Sequence, residues 1–325
     1  MTEASPVHAS RRAWPRYASR IAQGLIGLVL LAFAFYELRK QWTGSSVDLR
    51  QLRPDWAFIG ASGLVFLATY AVLIETWREV LRAWGSHLSF VRAARIWTVS
   101  NLGRYLPGKL WQIGAMGLMA KQANVSAIAA TGSAILNVIV NLIAGFAVVV
   151  VFGWPLLHVS GLGGLKSSVL FVLVCILALA LLPVLLPVLL TALSRVTGRD
   201  LTLGALPPRA IVFSLIGNVI AWLLYGSAFA IFARGVLGTS QGPLTSYIAV
   251  YALSYLVGYL VLFAPGGLGF REAAMVVLLP AAGLTDPTHA AILAVTSRLW
   301  LTALEIAPGA LFLGVDGLRR RPRAQ

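Results

Sequence analysis

The sequence predicts an all-α protein: a polytopic transmembrane helical bundle of about 6–8 crossings, built as two inverted repeats that each carry a Pro-Gly-broken, re-entrant hairpin. Composition is the first observation behind this. Apolar residues make up 58% and charged residues 11%, against about 25% charged in a soluble domain. Second, several runs reach the roughly twenty apolar residues that cross a bilayer. Runs such as Ser168 to Leu190 do not alternate, which argues against a β-barrel. Third, an apolar run broken by Pro-Gly occurs twice. Tyr105-Leu-Pro107-Gly108-Lys-Leu110 is echoed by Phe263-Ala-Pro265-Gly266-Gly-Leu268, and downstream Ala134-Ile-Leu136 by Ala291-Ile-Leu293. Paired interruptions in corresponding halves point to a transporter's substrate site.

In chain order, residues 1–20 hold Arg11, Arg12, Arg16 and Arg20 without apolar periodicity and read as a disordered basic cytoplasmic tail. A single transmembrane domain is expected over 21–315, with repeat 1 at about 21–155 and repeat 2 at about 167–315. Its first helix spans about Ile21 to Leu38. A signal peptide cleaved near Ala32-Phe-Ala34 is the alternative, but the second half needs this helix as its repeat partner. A helix from about Trp56 to Trp77 follows, then the first broken hairpin, about Val91 to Asn124, then a helix from Ser126 to Phe152. Repeat 2 has the same order: a helix over Ser167 to Leu193, one from Ala210 to Ala233, and the second broken hairpin. The first arm of that hairpin, Leu244 to Ala264, is long enough to cross fully. A last helix from about His289 to Val315 precedes a basic cytoplasmic tail over 316–325.

The net charge is +15, from 26 Lys and Arg against 11 acids. In a soluble chain this would indicate nucleic acid. Here the cations flank apolar segments, so topology and anionic lipid headgroups explain them and no nucleic-acid partner is expected. With the N-terminus inside, roughly fifteen basic residues fall on inside segments and about six outside. The expectation is a multi-pass protein of the cell (inner) membrane with both termini cytoplasmic.

Polar groups at membrane depth are costly unless paired or wet, so they are the site candidates. The hairpin breaks themselves are Pro107, Gly108, Pro265, Gly266 and Gly267. Around them stand Arg104, Lys109, Arg271 and Arg298, expected to bind a lipid phosphate together with free N–H groups at the helix starts. Glu272 and Glu305 would pair with these cations or carry a proton. Asn101, Asn137 and Asn141 would add polar lining, with Gln112, Lys121 and Asn218 nearby. A purely structural reading stands beside this one: the arginines neutralise the glutamates and the asparagines bridge helices. Tyr251, Tyr255 and Tyr259 stripe one helix face, as packing or as a path, and Ser254 and Gly258 have the spacing of close helix packing.

Enzymatic signatures are missing. His8, His87, His158 and His289 are scattered, Cys175 is alone, and there is no HExxH, Walker A or GxSxG sequence. Gly266-Gly-Leu-Gly269 lacks the strand–turn–helix setting of a dinucleotide site. No metal, no cofactor and no enzymatic activity are expected.

The sequence Arg104-Tyr-Leu-Pro-Gly-Lys109, followed by Pro265-Gly-Gly-Leu-Gly-Phe-Arg-Glu272 and a final helix with Arg298, resembles the lysylphosphatidylglycerol synthase transmembrane family. The resemblance covers about residues 20–315. It implies a flippase-like membrane region that moves lipids between leaflets. In the full synthases that region precedes an aminoacyl-transferase domain. Since the sequence ends at Gln325, a stand-alone member that does not make lysylphosphatidylglycerol is expected. The function expected is movement of a phosphate-bearing lipid, phospho- or polyprenyl-type, between leaflets. The alternatives are an intramembrane transferase with a lipid-phosphate donor, and a scaffold recruiting a lipid-modifying enzyme through Arg92, Arg95 and the basic tail. Oligomeric state is open.

Overall fold

The computed structural model describes residues 53–105, 110–153, 207–239, 241–260, 267 and 269–319. The expected tails, the helices at 21–38 and 167–193, and Pro107, Gly108, Lys109, Pro265 and Gly266 lie outside these residues. Eight α-helices, and no strand, occur among the described residues. They are α1 (Trp56–Ala83), α2 (Phe90–Asn101), α3 (Leu110–Gln122), α4 (Ala127–Phe152), α5 (Pro208–Leu237), α6 (Leu244–Leu260), α7 (Phe270–Ala281) and α8 (Pro287–Arg319), with a 3₁₀ turn at Leu102–Tyr105.

Length separates the helices into two kinds. α1, α4, α5 and α8 are long and apolar enough to cross a membrane. α2 and α7 have 12 residues each, α3 has 13 and α6 has 17. At 1.5 Å per residue, their described stretches cover about 18–26 Å, against ~30 Å for the hydrocarbon core, and α3 and α6 each border residues outside the description. The fold is therefore a polytopic helical bundle in which a crossing helix, a hairpin of short helices and another crossing helix occur twice. α1, α5 and α8 each run several residues beyond the apolar windows that reveal them, because their ends carry caps or charge rather than apolar side chains.

Among the described residues, one pair of helices has the antiparallel relation that inverted halves require. α1 packs along α5, its counterpart in the repeat, and the two run antiparallel. Asp55 at the start of α1 donates its backbone N–H to Gly235 O at 2.7 Å near the end of α5. At the other end, Thr76 lies against Gly217, where an added Cβ would collide with the threonine hydroxyl. The partners then exchange: α4 of the first half packs on α6 of the second, and α8 of the second packs on α2 of the first. Both hairpins also end alike. Val125 N–H reaches Ala120 O at 3.0 Å with Asn124 left-handed (φ 61°), and Leu284 N–H reaches Leu279 O at 3.0 Å with Gly283 left-handed (φ 67°). These are matching Schellman caps, with Val125 and Leu284 both buried behind them.

In lipid, apolar burial gives little net drive between helices, so close packing and interhelical hydrogen bonds must hold the bundle. Both are present. Gly226 faces Ile248 at a distance that excludes a side chain, and Gly309 packs tightly on Thr98 O, 3.1 Å from where a Cβ would stand. Trp77 donates its indole N–H to Ser133 Oγ at 2.8 Å, tying α1 to α4.

Candidate functional site

Both hairpins face one cavity of about 130 Å³, roughly ten times the space a single water needs. Its lining includes Arg104, Asn137, Asn141, Gly267, Arg271, Arg298 and Glu305, brought from α4, α7, α8 and both hairpins. Of the residues singled out from the sequence, Glu272 sits beside the cavity against Arg298. Asn101 stands behind the lining and accepts a hydrogen bond from Gln112 Nε2, which does line it.

Arg104 leaves the end of α2 on the 3₁₀ turn and meets Glu305 of α8 at 2.7 Å. Arg298 of α8 has its Nε 3.8 Å from Glu272 Oε1. Each carboxylate is therefore matched with an arginine of another element. Glu305 does not take Arg298, two turns away on its own helix, nor Glu272 its neighbour Arg271. Consecutive helix residues point about 100° apart, so adjacency in sequence predicts no pairing.

Arg271 is the exception. The residue is 4% exposed, no carboxylate forms an ion pair with it among the described residues, and its Nη2 has no hydrogen-bond partner. Its guanidinium carbon lies 4.9 Å from the Tyr251 ring centre and 5.5 Å from that of Tyr255. Two desolvated cation–π contacts contribute about 2 kcal/mol each, whereas an uncompensated buried cation costs several. Glu272 and Glu305 act on it at longer range, and neither is in ion-pair contact with it.

The local backbone places Arg271 there by necessity. Gly267 is left-handed (φ 70°), and a Cβ on it would sit 2.7 Å from Gly258 O. A Cβ on Gly258 would sit 2.9 Å from Arg271 Cβ. Only two glycines let the returning chain press Arg271 against the tyrosine face of α6. The Ser254–Gly258 spacing thus does mark close packing, and that packing builds the cavity wall. Tyr251, Tyr255 and Tyr259 form a stacked ladder with 6.4 Å between successive ring centres. Tyr255 and Tyr259 also line the cavity.

The helix-start N–H groups behave differently from expectation at α7. Gly269 N–H is taken by Glu272 Oε2 at 2.7 Å, a cap from within the helix. Here the donor facing the cavity is a guanidinium rather than a helix end. The asparagines bridge helices as well as line the cavity. Asn218 of α5 donates to Asn137 Oδ1 (3.1 Å) and accepts from Asn141 Nδ2 (2.9 Å). Sequence reading missed Trp97, Trp222 and Tyr225 in the lining. Aromatic residues in apolar helices give no signal separating wall from packing. Among the described residues, no group of three or more His, Cys, Asp or Glu is placed to hold a metal.

A bundle of crossing helices enclosing a cavity of three arginines is a multi-pass membrane protein with an internal polar site. Residues 20–309 match the family described as "Lysylphosphatidylglycerol synthase TM region", and the chain belongs to that family. No curated protein matches it.

Proposed function

We propose that the protein is a lipid transporter rather than an enzyme, moving a phosphate-bearing lipid between the leaflets of the cell membrane with its headgroup in the hairpin cavity and its chains in the bilayer. The observation that carries this is the buried guanidinium of Arg271 in the cavity lining, with Nη2 unpartnered and no carboxylate in ion-pair contact among the described residues. Three cations, Arg104, Arg271 and Arg298, face two carboxylates, Glu272 and Glu305. One lipid phosphate balances the remaining charge and gives Arg271 a charge-assisted hydrogen bond. The Arg104–Glu305 and Arg298–Glu272 pairs hold the other two arginines in place and keep the carboxylates where a proton can reach them. Orientation follows the basic residues, with both termini cytoplasmic.

Reconstitution tests this. Purified protein in liposomes with a fluorescent phospholipid in both leaflets is treated with dithionite, which bleaches only the outer leaflet. Bleaching well beyond half is expected. Bleaching at the level of protein-free liposomes, for every phosphate lipid tried, contradicts the proposal.

A further inference from the structure

Beside the charged groups, the cavity lining has its own chemistry. Trp97, Trp222, Tyr225, Tyr255 and Tyr259 present aromatic surface, with Gln112, Asn137 and Asn141 among them. The amides are half committed. Gln112 uses Nε2 on Asn101, Asn137 uses Oδ1 on Asn218, and Asn141 uses Nδ2 on Asn218. Among the described residues, Gln112 Oε1, Asn137 Nδ2 and Asn141 Oδ1 have no hydrogen-bond partner, and neither do the hydroxyls of Tyr225 and Tyr255. Several neutral donors and acceptors thus face a space walled by rings.

Resting on the phosphate-lipid reading above, we infer that the headgroup beyond the phosphate is a neutral polyol, a sugar or cyclitol ring, and carries no amine. Hydroxyl groups both donate and accept, so they satisfy a mixed set of amide and phenol groups. The carbon face of such a ring fits the aromatic wall, where a few placed polar groups within apolar lining set specificity. An ammonium headgroup is disfavoured for a reason of charge. Glu305 is held by Arg104 at 2.7 Å and Glu272 faces Arg298 at 3.8 Å. Arg271 already occupies the faces of Tyr251 and Tyr255. An aminoacylated or ethanolamine headgroup would have to share Glu272, whose Oε1 has no hydrogen-bond partner among the described residues, with Arg298, in a site that already sets three arginines against two carboxylates.

The test uses the full-length protein in detergent and three dioctanoyl lipids that differ only beyond the phosphate: phosphatidylinositol, phosphatidic acid and phosphatidylethanolamine. Isothermal titration calorimetry gives the affinities. Phosphatidylinositol should bind at least about fivefold more tightly than the other two, the scale of one or two net hydrogen bonds. Tyr225→Phe and Tyr255→Phe keep the rings and remove hydroxyls that bond nothing among the described residues, so folding should be intact. Each should weaken phosphatidylinositol about two- to tenfold and leave phosphatidic acid unchanged. Equal affinity for phosphatidylinositol and phosphatidic acid, both weakened by Arg271→Met, overturns the polyol inference and leaves the phosphate site standing. Tightest binding of phosphatidylethanolamine overturns it too. No binding, or binding indifferent to Arg271→Met, overturns both readings. Free inositol 1-phosphate should bind more weakly than the lipid. Equal affinity would assign the polyol phosphate to a soluble source and contradict the lipid reading.

Discussion

Arg104 and Glu305 are 201 residues apart and close one hairpin onto the last helix at 2.7 Å. Their side chains are 23% and 11% exposed, so neither charge is freely solvated. Removing one partner of a fully buried pair costs about 3–5 kcal/mol. Because Arg104 borders the cavity, where water can enter, about 2–3 kcal/mol is expected for Glu305→Ala. Arg104→Ala should cost somewhat less, since an abandoned carboxyl can take up a proton. Replacing both, as Arg104→Ala with Glu305→Ala, removes the charges together and should cost only about 1.5 kcal/mol. With about 1.5 kcal/mol for the double, the coupling between the sites is then about 3 kcal/mol, on the order of a hundredfold in an equilibrium constant. Denaturant titration in detergent micelles, followed by circular dichroism, measures all four proteins. A coupling below about 0.5 kcal/mol would refute the reasoning, because additive effects of that size mean that the two charges do not sense each other.

Three further perturbations separate packing from the site. Asn218→Ala removes the residue that both Asn137 and Asn141 use and should destabilise the bundle by about 0.6–1.7 kcal/mol in the same titration, the range for interhelical hydrogen bonds in membranes. Gly267→Ala places a Cβ 2.7 Å from Gly258 O at a left-handed position and should cost about 2–4 kcal/mol. It should abolish lipid binding even where folded protein is recovered. Asp286 caps the start of α8, accepting N–H bonds from Thr288 and His289 at 2.9 and 3.1 Å. The His289 side chain, more than these, holds its carboxyl below its ordinary value. A depressed carboxylate stabilises the fold fully above its unfolded value of 3.8 and loses that contribution as pH falls through the lower, folded value. Asp286→Asn should therefore flatten the acid limb of a thermal-unfolding profile below that value and change little of its pH dependence near neutrality.

Much of the architecture was legible in the sequence because membranes restrict the solutions. The lengths of apolar runs mark the four helices long enough to cross, α1, α4, α5 and α8. The charged candidates were also legible, since Arg271, Arg298 and Glu305 stand in apolar segments where charge needs a reason. Pairing was not. Glu305 has a same-helix candidate in Arg298 and a distant one in Arg104, and only the packing of α8 on α2 decides for Arg104. Glu272 shows the reverse case. Helix geometry alone rules out its neighbour Arg271 and frees that guanidinium for the cavity. Trp222 and Tyr225 were invisible as lining because an aromatic residue inside an apolar helix looks the same whether it packs or faces a void.

The most direct test of the central claim is the rate of dithionite bleaching for Arg271→Met against wild type, at equal reconstituted protein. Methionine keeps an unbranched apolar stem and removes the charge. Arg92→Met, at an exposed position away from the cavity lining, is the control. A hydrogen bond to a charged group contributes about 1.5–3 kcal/mol, so Arg271→Met should slow translocation at least about tenfold, and Arg92→Met should not. Equal slowing by both, or none by either, would contradict a lipid phosphate held by Arg271.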